Sequence, residues 1–262
     1  MGDRITHLTK LDQTVLKWLA DVQATVMKRI QQKVTVETKS NYRDLVTNID
    51  REVEQYYVSA IRMFDPHAKI LGEEGFGDQV KDMKGHVWLV DPIDGTMNFV
   101  KQKSEFATML AYFEDGKPVM AWIMDVAQNE TIHGGPDYGV YLNGQLMSKQ
   151  VDSQLATGLV ILSGARLLYE EYGFSEIAKS ALGYRVYGSA GISFMHVLKG
   201  QANAYASYMK PWDYAAGMIL SQSIGLKVGT IDGTPVNVLL SSVILTATQG
   251  TFDDIMVLEA KL

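Results

Sequence analysis

The chain contains no cysteine among its 262 residues. Disulfides, thiolate-held metals and cysteine nucleophiles are therefore excluded. No stretch approaches the roughly 18 apolar residues of a membrane span, so no membrane partner is expected. The histidines (His7, His67, His86, His133 and His196) are scattered without metal-ligand spacing, which argues against a histidine zinc site. Neither a Walker P-loop nor a dinucleotide-binding glycine fingerprint occurs. Ser163-Gly164 lacks the surrounding pattern of a nucleophile elbow. Positive charge is also in short supply: 24 Lys and Arg face 30 Asp and Glu, a net charge of −6. That balance excludes a nonspecific polyanion binder, so no nucleic-acid partner is expected, and it suits a protein that concentrates divalent cations. The first residues, Met1 to Lys10, are polar and lack the apolar core of a secretory leader, so a cytoplasmic location is expected.

What is present is the composition of a globular protein, 47% hydrophobic and 21% charged. It suffices for one large domain or two closely packed halves. Leu8, Leu11, Val15, Leu19, Val22, Val26 and Ile30 recur at three- and four-residue steps and predict a long amphipathic helix. Val53, Tyr57, Ala60, Ile61 and Phe64 predict a second, ended by Asp65-Pro66. Over 69–142 short apolar runs alternate with turn signals, among them Asp115-Gly116 and Asn143-Gly144, which predicts an antiparallel sheet. Beyond Val151 strands and helices alternate: strands at 159–162, 184–187, 203–207 and 242–246, helices at 166–180, 192–198, 214–223 and 252–260. The expected organisation is an α+β half over 1–150, carrying the acidic motifs, and an α/β half over 151–262, carrying Asp213 and the loops beside it. Sites tend to form at such interfaces.

The run Trp88-Leu89-Val90 leads into Asp91-Pro92-Ile93-Asp94-Gly95-Thr96. It reads as a buried strand that stops where its carboxylates become exposed, with Pro92 denying further ladder pairing and Gly95 permitting a tight backbone. An Asp-Gly turn is the plain alternative. Two carboxylates at one point repel unless a cation lies between them, and hard oxygen ligands suit Mg²⁺. Backbone N–H groups of Gly95 and Thr96 would face an anion if a helix begins there. Metal and phosphate cradle together point to phosphoryl chemistry.

Further motifs have plain readings beside the chemical one. In Gly72-Glu73-Glu74-Gly75 adjacent glutamates on a strand end face opposite ways, so at most one ligates a metal; a solvated loop is the alternative. Asp213 in Lys210-Pro211-Trp212-Asp213-Tyr214-Ala215-Ala216-Gly217 is a good N-cap, and its second oxygen is free for a metal. Small Ala215, Ala216 and Gly217 permit close approach there. Thr47 and Asp50 have capping-box spacing, which accounts for both without chemistry. An aspartyl-phosphate mechanism of the haloacid dehalogenase type, with two aspartates one residue apart, is disfavoured because position 92 is proline and position 96 threonine.

Taken together, Asp44-Leu45-Val46-Thr47, Gly72-Glu73-Glu74, Asp91-Pro92-Ile93-Asp94-Gly95-Thr96 and Trp212-Asp213-Tyr214-Ala215-Ala216-Gly217 resemble the signatures of the inositol monophosphatase family, in order and spacing from Lys39 to Gly217. The resemblance implies a layered αβαβα sandwich of the sugar-phosphatase type. It implies Mg²⁺, two or three ions per site, on Glu73, Asp91, the Ile93 carbonyl, Asp94 and Asp213. It implies that Glu73 and Thr96 activate water, that Asp50 and Thr47 orient Thr96, and that Asp94, the Gly95 and Thr96 amides and Lys39 face substrate. The loop 188–193, with Gly191, Ile192 and Ser193, would line the leaving-group side. The activity implied is hydrolysis of a small, inositol monophosphate-like ester by a metal-activated water, without a covalent intermediate, in a lithium-sensitive homodimer. Members that favour inositol carry a glutamate ahead of the third signature, whereas 203–208 has no acid. Fructose bisphosphate or an adenosine bisphosphate is the alternative substrate, and a catalytically silent Mg²⁺-binding regulator the alternative class.

Overall fold

In the computed structural model, which describes residues 2–32, 35–38 and 45–261, two amphipathic helices precede the main sheet. Helix α1 (Gly2–Arg29) buries Leu8, Leu11, Val15, Leu19, Val22 and Val26. A short antiparallel pair, β1 (Val36–Thr38) and β2 (Leu45–Thr47), leads into α2 (Asn48–Phe64). Thr47 caps α2: its Oγ1 accepts from the Ile49 and Asp50 N–H groups, while Asp50 accepts from the Thr47 N–H.

The large sheet contains β3 (Lys69–Gly72), β4 (His86–Asp94), β5 (Ala107–Glu114), β6 (Lys117–Asp125), β7 (Glu130–Gly135), β8 (Gly139–Leu142) and β9 (Gln145–Leu146), in that spatial order. The turns at Asp115-Gly116 and Asn143-Gly144 have positive φ at both residues, as tight hairpins require. The sheet is mixed, because β3 runs parallel to β4 while the other pairs are antiparallel. The loop between Gly72 and His86 carries the chain back to the same end, which corrects the all-antiparallel expectation. Both faces of the sheet are covered. Trp88 and Val90 pack with α1 and α2, while Val87 and Leu89 pack on the opposite side. That double burial is why these strands read as continuous apolar runs.

The second half holds β10 (Leu159–Leu162), α4 (Gly164–Leu168), α5 (Phe174–Ser180), β11 (Gly183–Arg185), α6 (Ala190–Leu198), β12 (Ala204–Met209), α7 (Pro211–Ser223), β13 (Lys227–Thr230), β14 (Ser242–Ala247) and α8 (Gln249–Glu259). Its sheet runs β11-β10-β12-β14-β13. Helices α6 and α7 fill the space between the two sheets, and α5 and α8 cover the far face of the second. The layers are thus helices, sheet, helices, sheet, helices. The helix expected over 166–180 is two short ones, because Glu170, Tyr172 and Gly173 adopt positive φ between them. Among the described residues, no helix is long and apolar enough to cross a membrane.

Candidate active site

Three chain segments deliver acidic groups to one cavity. Parallel pairing aligns Gly72 with Val90, so the residue after each partner emerges at the same sheet end. Glu73 donates its N–H to the Val90 carbonyl (3.3 Å), which places it beside Asp91. β4 does not stop at the first carboxylate: it runs through Asp94, and Asp91 and Asp94 are buried rather than exposed. The register shifts between Asp91, opposite Met109, and Asp94, opposite Ala107. Pro92 and Ile93 therefore form a bulge, where a missing N–H is harmless and side chains are re-aimed. Residues three apart on a regular strand would face opposite sides; the bulge lets both line the cavity.

Asp213 arrives from the other half of the chain. It is the third residue of α7 rather than its N-cap, since Pro211 takes the first position and Lys210 the cap. Its Oδ2 accepts the Lys210 N–H at 2.8 Å. Glu73, Asp91, Ile93, Asp94, Gly95, Thr96 and Asp213 line one cavity of about 320 Å³. A contiguous cavity of about 240 Å³ shares Asp94 and Asp213 and extends past Ser163, Tyr187, Ser193, Tyr205 and Tyr208.

Charge is expensive here. Burial, then repulsion from Glu73, Asp94 and Asp213, pushes Asp91 well above the usual carboxylate range. Burial raises Asp94 to about 6 despite hydrogen bonds from the start of α6 that oppose the shift. Asp213 rises to about 8, through burial and Glu73, with Lys210 opposing. Asp91 Oδ1 is buried and has no hydrogen-bond partner among the described residues. A buried carboxylate oxygen without a donor, inside an oxygen-only cluster of acids, fits a hard divalent cation. Among the described residues, no three acidic or histidine side chains already close on one point at ion-binding distance. Asp94 is turned onto α6: its Oδ1 accepts from the Ala190 N–H (2.9 Å), and its Oδ2 from the Gly191 N–H (2.8 Å) and the Ser189 hydroxyl.

Behind the cavity, Thr96 Oγ1 lies 2.9 Å from Asp50 Oδ1 and 3.1 Å from the Ile93 carbonyl, both acceptors for its proton. Asp50 also accepts from the Thr47 hydroxyl, and burial raises its pKa to about 6. One carboxylate thus serves the α2 cap and Thr96 together. Gly95 sits at φ 82° just before α3 (Thr96–Lys101), and a Cβ there would lie 2.9 Å from the Ser189 Cβ.

The loop 188–193 is placed with more variety than expected. Ser193 lines the second cavity, whereas the Gly191 amide is committed to Asp94. The Ile192 N–H donates to Ser189 Oγ (3.2 Å), and Ile192 borders a separate cavity with Glu105 and Lys199. Lys39 lies outside the described residues. Sequence reasoning passed over two supporting groups. Glu54 is buried in α2, and its carboxylate accepts from the Glu74 (2.6 Å) and Phe76 (2.8 Å) N–H groups, anchoring the loop that bears Glu73. An acid four residues before Val58, on the packed stripe of α2, was the available signal. Asn98 donates to the Glu105 and Tyr187 carbonyls, both at 2.8 Å, and so ties the two halves beside the site.

The inositol monophosphatase family model matches residues 7–258. An inositol-1-monophosphatase of Bacillus subtilis (strain 168) is 35% identical over 236 residues, covering 88% of this chain and 89% of that protein. A fructose-1,6-bisphosphatase/inositol-1-monophosphatase of Thermotoga maritima is 31% identical over 203 residues, covering 77% of each. Among solved structures, an IMPase/NADP phosphatase in complex with Mg²⁺ and phosphate superposes with a TM-score of 0.89 at 27% identity, covering 96% of this chain and 95% of that one.

Proposed function

The chain belongs to the inositol monophosphatase family and is a phosphatase of that kind, and on that premise we propose that it is a Mg²⁺-dependent hydrolase of small sugar or cyclitol monophosphates. The observation that carries the metal reading is the buried Asp91 Oδ1, without a hydrogen-bond donor among the described residues, amid a cluster of acids. Glu73, Asp91, the Ile93 carbonyl, Asp94 and Asp213 would hold the ions. Bound there, Mg²⁺ supplies acidification of the attacking water, neutralisation of phosphate oxygens and stabilisation of the leaving alkoxide.

The chain's own residues do the rest. Asp50 draws the Thr96 proton toward itself, which leaves Thr96 Oγ1 lone pairs to accept from a water in the cavity. Thr96 thereby orients that water, and Glu73 receives its other proton as oxygen attacks phosphorus. The ester P–O bond breaks in line, and no phosphate bond to the protein forms. Amides of Gly95 and Thr96 at the start of α3 hold phosphate oxygens. The leaving group occupies the second cavity, lined in part by Ser163, Ser193, Ser207 and Tyr208.

A second reading keeps this chemistry but changes the substrate. Among the described residues the second cavity has no acid beyond Asp94 and Asp213, and so none at the place of the carboxylate that inositol-favouring members use. That absence, and the relatives named for fructose bisphosphate and NADP, favour a test of bulkier phosphates. The homodimer belongs to the same proposal, and light scattering on the purified chain tests it.

The deciding experiment is phosphate release from inositol monophosphates, fructose bisphosphate and adenosine bisphosphates, with and without Mg²⁺, for the parent and Asp94→Asn. Release that needs Mg²⁺ and vanishes in the variant, with its fold intact, is the expected result. Equal release in both proteins removes Asp94 from the reaction, and Mg²⁺ binding without release from any ester favours the regulatory alternative.

A further inference from the structure

Lys210 stands where β12 turns into α7, three residues before Asp213, which lines both cavities. Its backbone is fixed on both sides: its N–H is held by Asp213 Oδ2, and Pro211 follows at the first helical position. Its side chain runs beside Trp212, with Nζ 5.4 Å from the ring, and is 44% exposed. The ammonium ends 4.0 Å from Glu73 Oε1. A cation attached to the chain therefore approaches the same carboxylate that the metal reading assigns to Mg²⁺.

We propose that Lys210 is a tethered competitor for Glu73: its ammonium and the incoming Mg²⁺ draw on one carboxylate, so the site binds Mg²⁺ less tightly than its acids alone would. The inference rests on the metal-site reading above. The pairing is partly exposed and long, which keeps it weak enough for a divalent ion to displace. A lysine suits that role better than an arginine would, because its ammonium is a point charge on a flexible stem, without a fork that would lock onto the carboxylate.

The test is calorimetric titration of Mg²⁺ into the parent, Lys210→Met, Lys210→Arg and Asp91→Asn at fixed ionic strength, with circular dichroism as the folding control. Lys210→Met is expected to bind Mg²⁺ roughly fivefold more tightly, the factor matching the upper range of an exposed ion pair. Lys210→Arg keeps the charge and is expected to bind more weakly than Lys210→Met. Asp91→Asn is expected to lose the binding, which shows that the heat reports this site. Unchanged or weaker binding in Lys210→Met overturns the competitor role, and so does a higher KM with unaltered Mg²⁺ affinity, which would put the ammonium on substrate. Should Lys210→Met misfold, Lys210→Gln removes the same charge and is read the same way. A parent that takes up no Mg²⁺ overturns the metal reading itself, an outcome distinct from any difference among the Lys210 variants.

Discussion

At Asp50 a helix cap and a proposed reaction centre share one carboxylate. Its Oδ2 closes the cap with Thr47, and its Oδ1 accepts from Thr96. The capping spacing was legible in the sequence; the pairing with Thr96, at the start of α3 46 residues on, was expected only through the family resemblance, because spacing alone does not reveal the packing of α2 against β4 that creates it. Removing the Thr96 hydroxyl in Thr96→Ala should lower kcat by about 10²–10⁴-fold, the range of a positioned acid–base group, while Thr96→Ser retains most of it. Steady-state phosphate release measures both, and equal activity of the alanine and serine variants would refute the role. Gly95 carries a different constraint. Its φ of 82° and a 2.9 Å approach to the Ser189 Cβ leave no room for a side chain. Gly95→Ala should cost about 1–3 kcal/mol of stability, read by urea unfolding; an unshifted midpoint would show that the turn relaxes.

Among the elements, the pairing of β3 with β4 decides the site. Were the pair antiparallel, the residue following Gly72 would lie at the far end of β4 from Asp91. Strand identity was readable from the runs Ile70-Leu71 and Val87-Val90, but strand direction was not, since both faces are buried and the run carries no period. The bulge was half legible: Pro92 marked an interruption, yet pairing resumes at Asp94. The exposed strand β1, the three-residue β2 that pairs with it and the strand β13 had no apolar run long enough to announce them. The loop after β3 depends on Glu54, whose carboxylate takes two backbone N–H groups there. Burial raises the pKa of Glu54, and those two bonds oppose the shift. Glu54→Ala leaves both donors unsatisfied and frees the segment bearing Glu73. Calorimetry should show Mg²⁺ affinity falling by about tenfold, the equivalent of roughly one such charged hydrogen bond; unaltered affinity would mean that the loop holds itself.

For the whole molecule, the cluster couples stability to pH. Asp50 and Asp94 are raised from 3.8 to about 6, Asp213 to about 8, and Asp91 in the same direction, with burial the largest cause for each. In the unfolded chain these groups lose their protons near the ordinary aspartate value, so between that value and the raised one the folded state holds more protons. Stability then falls as pH rises. In a chelator, the melting temperature should therefore decline from about pH 4 to about pH 8, the window of those shifts. Mg²⁺ binds the ionised acids of the folded state, so its stabilisation should grow across the same interval and offset the decline. Asp91→Asn removes a charge that burial and neighbouring acids oppose, and its melting temperature in chelator should exceed the parent's at pH 8 but not at pH 4. Thermal scans at both pH values, with and without Mg²⁺, separate these effects. A chelated parent that melts higher at pH 8 than at pH 4 would mean that the acids are not held together in solution as they are in this fold.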